Sequence, residues 1–246
     1  MKTLETYQSI NDVGCILCGE DLNKLDKQMS MHCDFCGQTQ SISYFCKNEH
    51  SICDSCLKIA PEDFVKKICL KHKGIDPNAL AVEIMNSPVI TMHGSVHHFI
   101  VPAVLLTCVY NLEKKTELLS SQLDALLHRV FEETPDACQY HNGTCGAAQG
   151  ASVFLSVYLN RNQNAEDEWS PSNTLTAECL RRIADHGGPR CCKRDTYFSI
   201  AATVDYMKES FALELPISEA KCTFSLRNKS CGREECAYYN LANSLV

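Results

Sequence analysis

Seven cysteines and one histidine recur as four close couples near the start of the chain: Cys15/Cys18, Cys33/Cys36, Cys46/His50 and Cys53/Cys56. Two or three residues separate the members of each couple, so one tight turn can present both donor atoms to the same ion. Eight donors fill two tetrahedral sites. Thiolates with an imidazole at these spacings suit zinc, and a site whose four positions are all protein ligands is structural, with no place for substrate. Two zinc ions are therefore expected, held by Cys15, Cys18, Cys33, Cys36, Cys46, His50, Cys53 and Cys56. Should His50 not bind, Cys69 or His72 is the replacement to look for.

The run Cys46-Lys-Asn-Glu-His50-Ser-Ile-Cys53-Asp-Ser-Cys56 resembles the middle of RING-type and related cross-braced zinc modules. Cross-bracing would join alternate couples: Cys15, Cys18, Cys46 and His50 on one ion, with Cys33, Cys36, Cys53 and Cys56 on the other. Sequential pairing is the alternative. Spacing alone leaves both open.

Reactive chemistry is expected farther along. His93-Gly-Ser-Val-His97-His98 puts two imidazoles four residues apart, on one face of a helix or of a strand. His93, His97 and His98 are candidates for general acid–base work or metal ligation. Cys145 opens a helix of small residues from Gly146 to Ser152, where free N–H groups and the macrodipole favour a thiolate. Those small residues suit close approach of a backbone, a substrate or a cluster, or tight helix packing. Gly187-Gly-Pro-Arg-Cys191-Cys192-Lys-Arg joins two helices and sets adjacent thiols among Arg190, Lys193 and Arg194. Such cations lower a thiol pKa and can hold a carboxylate or phosphate. Adjacent side chains diverge, so one of the two thiols is expected to face a cofactor while the other packs. Cys222, Cys231 and Cys236 follow in the tail. With Cys138, Cys145, Cys191 and Cys192 they form a second set for an iron–sulfur cluster or a third zinc, at spacings unlike a standard ferredoxin run. Cys108 and Cys179 fall on apolar helical faces and read as packed thiols.

Two kinds of support must position these groups. Residues 1–60 carry few large apolar side chains and cannot bury a core alone. Metal must supply the folding free energy there, on the order of 10–16 kcal/mol per structural zinc. From 61 to 246 the apolar pattern is helical. Pro61 opens a short helix stopped at Gly74; Asp76-Pro77 reads as an N-cap with proline first, and Pro88 closes that helix. An apolar segment from Phe99 to Leu112 belongs to a helix starting near Ser95 and kinked at Pro102, or starting at Pro102. Residues 116–133 are amphipathic, 146–160 helical, 161–171 an exposed loop, and 174–186 and 196–213 helical. The expected class is mainly α: a small cross-braced zinc-binding module of short β segments and loops, then a helical domain carrying the histidines and the second cysteine set.

Composition narrows the functions. The 246 residues hold 23 Lys and Arg against 30 Asp and Glu, a formal charge of −7. That balance argues against general binding to nucleic acid or an anionic membrane surface. No apolar run reaches about 18 uninterrupted residues, so no membrane span is expected. The first residues lack the apolar core of a signal peptide, and a cytoplasmic location follows as an expectation. There an odd count of 17 cysteines fits metal ligation better than disulfides.

The His-Gly-x-x-His-His, Cys-Gly-Ala-Ala-x-Gly-Ala and Gly-Gly-Pro-Arg-Cys-Cys-Lys-Arg motifs, with the tail cysteines, resemble a family of unknown function. That family occurs in methanogens and anaerobic bacteria, sometimes attached to a methyltransferase domain. The resemblance implies an anaerobic, metal-rich setting and a possible methyltransferase partner. Its histidine motif reads His-Gly-Pro-Glu-His-His; Ser95 and Val96 stand in the middle here, so a glutamate base is missing. The stretch from Cys145 to Ser152 is also similar to the catalytic subunit of iron–sulfur serine dehydratases and cysteine desulfidases, in a different order along the chain. The expectation is an enzyme of anaerobic metabolism. An iron–sulfur cluster or activated thiolates would do lyase or sulfur-transfer chemistry on a small anionic substrate, with His93, His97, His98, Cys145, Arg190 and Lys193 at the reaction centre. The alternative is a zinc-held interaction or redox-sensing module without catalysis.

Overall fold

The computed structural model describes residues 14–134, 144–160 and 166–240. Two compact units divide the chain: Met1–Phe64 with Met85–Thr91, and Val65–Ile84 with Met92–Val246.

The first unit is built on an antiparallel ribbon. Strand β1 (Leu22–His32) pairs with β2 (Thr39–Cys46), Leu22 opposite Cys46 and His32 opposite Thr39, with an irregularity between Lys24 and Met29. The apolar centre is small: Ile16, Phe35, Ile42 and Ile52 are buried, and Phe35 stacks on Phe64 with ring centroids 5.3 Å apart. The Ser87 hydroxyl donates to the Ile16 carbonyl at 2.7 Å. Five of the seven cysteines of the donor couples are buried among these few side chains, as expected where metal replaces a core.

Seven α-helices occur among the described residues: α1 (Pro61–Lys71), α2 (Pro77–Asn86), α3 (Val96–Glu113), α4 (Leu119–Glu133), α5 (Gly146–Tyr158), α6 (Glu166–His186) and α7 (Cys192–Phe211). Two of the three unit boundaries fall within α1 and α2, and the third follows Thr91. Asp76 caps α2: its Oδ1 accepts from the Asn78 and Ala79 amides at 2.9 and 3.1 Å, while Oδ2 accepts from the Ser218 amide at 3.0 Å. Helix α3 is the core of the second unit, buried from Val96 to Tyr110 and packed against α4, α5 and α7. It takes the earlier of the two starts, at Val96, with Pro102 inside it. By length and composition α3 could cross a membrane, but 83% of it is buried within the protein, the pattern of a core helix.

Two helices begin earlier than their sequence suggests. The stretch expected to be loop up to residue 171 is helical from Glu166, and α7 begins at Cys192 where 196 was expected. Polar composition misled in both places. Hydrophilic residues report solvent exposure in α6, where Trp169 lies 77% exposed, and buried charge in α7, where Lys193, Arg194 and Asp195 are all interior.

Candidate metal centres and active site

The same turn is built twice in the first unit. The Cys15 amide donates to the Glu20 carbonyl and the Gly19 amide to the Cys15 carbonyl, both at 2.8 Å. Cys33 pairs with Gln38 at 2.9 Å and Gly37 with Cys33 at 2.8 Å in the same pattern. Gly19 and Gly37 close these turns at φ of 81° and 74°, a left-handed conformation that favours glycine. Further along, Asp34 accepts from the Ser51 amide at 2.6 Å, and Asp54 accepts from the Ser43 amide at 2.9 Å and its hydroxyl at 2.6 Å. These bonds lock the loops that carry the later couples.

The donor atoms then fall into two groups. Those of Cys15, Cys18, Cys46 and His50 all lie within 4.8 Å of one another, and so do those of Cys33, Cys36, Cys53 and Cys56. Alternate couples therefore share a centre, the cross-braced arrangement, and either group could hold a metal ion. Thiolates about 2.3 Å from a tetrahedral ion stand about 3.8 Å apart. Cys18 and Cys46 are 3.5 Å apart and Cys36 and Cys53 3.9 Å. His50 presents Nδ1 at 3.7 Å from the Cys15 sulfur. Backbone amides of Cys36 and Cys53 point at the Cys33 sulfur at 3.5 and 3.3 Å, and that of Asn48 at the Cys46 sulfur at 3.3 Å. Donors aimed at sulfur favour the thiolate form that binds metal.

In the second unit, His97 and His98 enter the interior on the first turn of α3, 1% and 3% exposed. The Nδ1 of His97 pairs with the Gly94 carbonyl at 3.1 Å. A carbonyl only accepts, so Nδ1 carries the proton and Nε2 keeps a bare lone pair. That Nε2 is buried with no hydrogen-bond partner among the described residues. Burial, then the charge of Lys193 and the neighbouring imidazoles, hold His97 well below the usual histidine range. It is a neutral base.

Helix α5 places Cys145 at its N-cap. The amides of Ala147 and Ala148 favour the thiolate there, but burial outweighs them and pushes the thiol up to about 12. Cys145 is thus protonated at neutral pH, and a thiolate forms there only where another group accepts its proton. His97, His98, Cys145, Cys192, Arg190 and Asp195 line one cavity of about 360 Å³. His93 is half-buried, and burial, then Arg190, lower its pKa against a hydrogen bond that its ring donates to Asn228.

Helix α7 parts the adjacent thiols. Cys191 is its N-cap and Cys192 its first residue. Cys192 faces the cavity of His97, whereas Cys191 lines a separate small one with Cys222, Cys231 and Cys236. The cysteines expected to form one set thus divide, Cys145 and Cys192 with the histidines and Cys191 with the tail. Cys138 lies outside the described residues. Arg190 lines the histidine cavity. Lys193 instead turns inward, 1% exposed, with its ammonium 4.6 Å above the Phe224 ring. Burial, then Arg227, push its pKa down to about 7. Cys108 and Cys179 are fully buried.

Tyr197 and Asn228 had no sequence signature, and Arg194 was expected only as a cation beside the adjacent thiols. Arg194 donates from Nε to Asp195 Oδ1 at 2.9 Å, a pair only 5% exposed on each side, and Arg194 borders both cavities. Tyr197 lines the tail cavity one turn after Lys193. Asn228 reaches Cys191 from the tail, its Nδ2 3.7 Å from the sulfur. Periodicity identifies apolar faces, and these polar groups interrupt such faces.

No curated protein and no solved structure matches the chain. The candidate site residues of the second unit lie inside one matched stretch, and the eight N-terminal donors lie before it. Residues 65–239 match the Family of unknown function (DUF5714), and the chain belongs to that family.

Proposed function

We propose that the protein is an enzyme acting on a small anionic substrate in the His97 cavity, with structural zinc in the two N-terminal donor groups. His97 carries this assignment. A buried imidazole nitrogen left without a partner costs about 1–3 kcal/mol, a cost expected where function requires it. Here the bare Nε2 shares its cavity with a protonated thiol and an arginine. His97 would take the proton, from Cys145 or from a substrate carbon, and Arg190 would hold a carboxylate or phosphate. The paired Arg194–Asp195 would keep the wall rigid. Sulfur transfer through Cys145, or a lyase step begun by His97, uses these groups in an anaerobic cytoplasm.

The test is anaerobic incubation with L-cysteine, L-serine, and thiosulfate plus cyanide, following sulfide, pyruvate and thiocyanate. Turnover of one of them, lost in His97→Asn and in Cys145→Ala with the fold retained, supports the assignment. Failure to turn over any of the three, together with no shift in melting temperature from any of them, counts against it.

A further inference from the structure

We infer that Cys191, Cys222, Cys231 and Cys236 bind a [4Fe–4S] cluster, at a centre distinct from the His97 cavity. Four thiols from two distant segments line one cavity of about 20 Å³, Cys191 from the start of α7 and the others from the tail. Their spread separates a cluster from a single ion. Among the described residues, donor groups that close to within 4.8 Å are the two N-terminal ones, and the tail thiols form no such group. One tetrahedral ion would draw its sulfurs to about 3.8 Å. A cubane with four cysteine ligands holds them farther apart, with iron and sulfide between.

The cavity wall fits sulfide as well as iron. Tyr197 OH and Ser225 Oγ are buried there with no hydrogen-bond partner among the described residues, and Tyr197 is 1% exposed. Two unused hydroxyl donors beside four thiols call for an acceptor, and the bridging sulfides of a cluster provide one. Further donors already point at the ligands. The Phe224 amide lies 3.3 Å from the Cys222 sulfur, the Arg233 amide 3.4 Å from Cys231, and Asn228 Nδ2 3.7 Å from Cys191. Such bonds to sulfur tune a cluster's reduction potential. Its net negative charge would be offset by Lys193 and Arg227, both set over the Phe224 ring, at 4.6 and 5.2 Å.

Anaerobic reconstitution with ferrous iron and sulfide tests this. The expected product is brown, with iron and acid-labile sulfide in equal amounts, about four of each per chain, and a signal in electron paramagnetic resonance after dithionite. Cys222→Ser and Cys236→Ser should each lose most of the visible absorbance, whereas Cys145→Ala and Cys192→Ala should keep it. Tyr197→Phe should retain a cluster with a shifted reduction potential, a readout that does not depend on the serine variants folding. A colourless protein carrying a third zinc without labile sulfide overturns the assignment, as does equal loss in Cys145→Ala. Cluster assembly is read without turnover, so it stands or falls apart from the proposed catalysis.

Discussion

The imidazole of His98 lies against Gly146, where a Cβ would meet three ring atoms at 2.3 Å. One turn later, a Cβ on Gly150 would lie 2.3 Å from the His98 carbonyl oxygen and 3.0 Å from Pro102 Cδ. Pro102 has no N–H to offer that carbonyl, so α5 approaches α3 where the helix's own ladder is interrupted. The small residues after Cys145 therefore serve the approach of α3 and seat His98 at the mouth of α5.

Gly150→Ala should destabilise the helical unit by about 1–3 kcal/mol, because the clash is with backbone and a proline ring that no rotamer relieves. At about 2–4 °C per kcal/mol for a unit of this size, calorimetry would show a fall of several degrees. Gly146→Ala meets a side chain that can swing away. It should cost less stability and more turnover.

Removal of metal should unfold the first unit and spare the second. Cys33→Ala, or a strong chelator, is expected to release zinc and abolish the dispersion of ribbon resonances in NMR while far-UV helicity is largely kept. Loss of helicity in parallel with zinc would show the second unit to depend on the first.

His97 should make the helical unit acid-sensitive. Its folded pKa is depressed below that of the unfolded chain, so the unfolded state binds the proton first as pH falls. The stability it confers is complete above about pH 6.5. Below that it declines by about 1.4 kcal/mol per pH unit until the folded pKa is reached. Denaturant titrations from pH 7 to 5 should show a smaller slope in His97→Gln than in the parent protein.

Cys145 should resist alkylation at neutral pH. Raised to about 12 from an ordinary value of 9.0, it holds about a thousandfold less thiolate than a free cysteine. Iodoacetamide labelling followed by mass spectrometry should be slow at pH 7 and accelerate with each added unit of pH. Rapid labelling at pH 7 would mean that a base already takes its proton in the resting protein.

Asp195→Ala should cost about 3–5 kcal/mol, since it strands the buried Arg194 guanidinium. The double variant with Arg194→Met should recover much of that loss in urea denaturation. A single variant within about 0.5 kcal/mol of the parent would show that water or another acceptor takes over from Asp195.

Some of this architecture is written in local order along the chain. Couples such as Cys15/Cys18 and Cys33/Cys36 declare metal ligation because two residues make one turn, and a turn is a local object. Asp76-Pro77 declares a helix start for the same reason: a cap needs only the next three amides. The buried periodicity of α3 and the amphipathic α4 are equally local. Which couples come together at one centre was not legible, because Cys18 meets Cys46 only after β1 and β2 have paired. Nor was the cavity that each of Cys191 and Cys192 would face, although their divergence was expected. Successive residues of a helix point about 100° apart, so starting α7 at Cys192 sends one thiol to the histidines and the other to the tail. Side-chain chemistry and short spacings follow from covalent neighbours. The partners of each thiol follow from how remote helices pack, and that is decided by the burial of α3 as a whole.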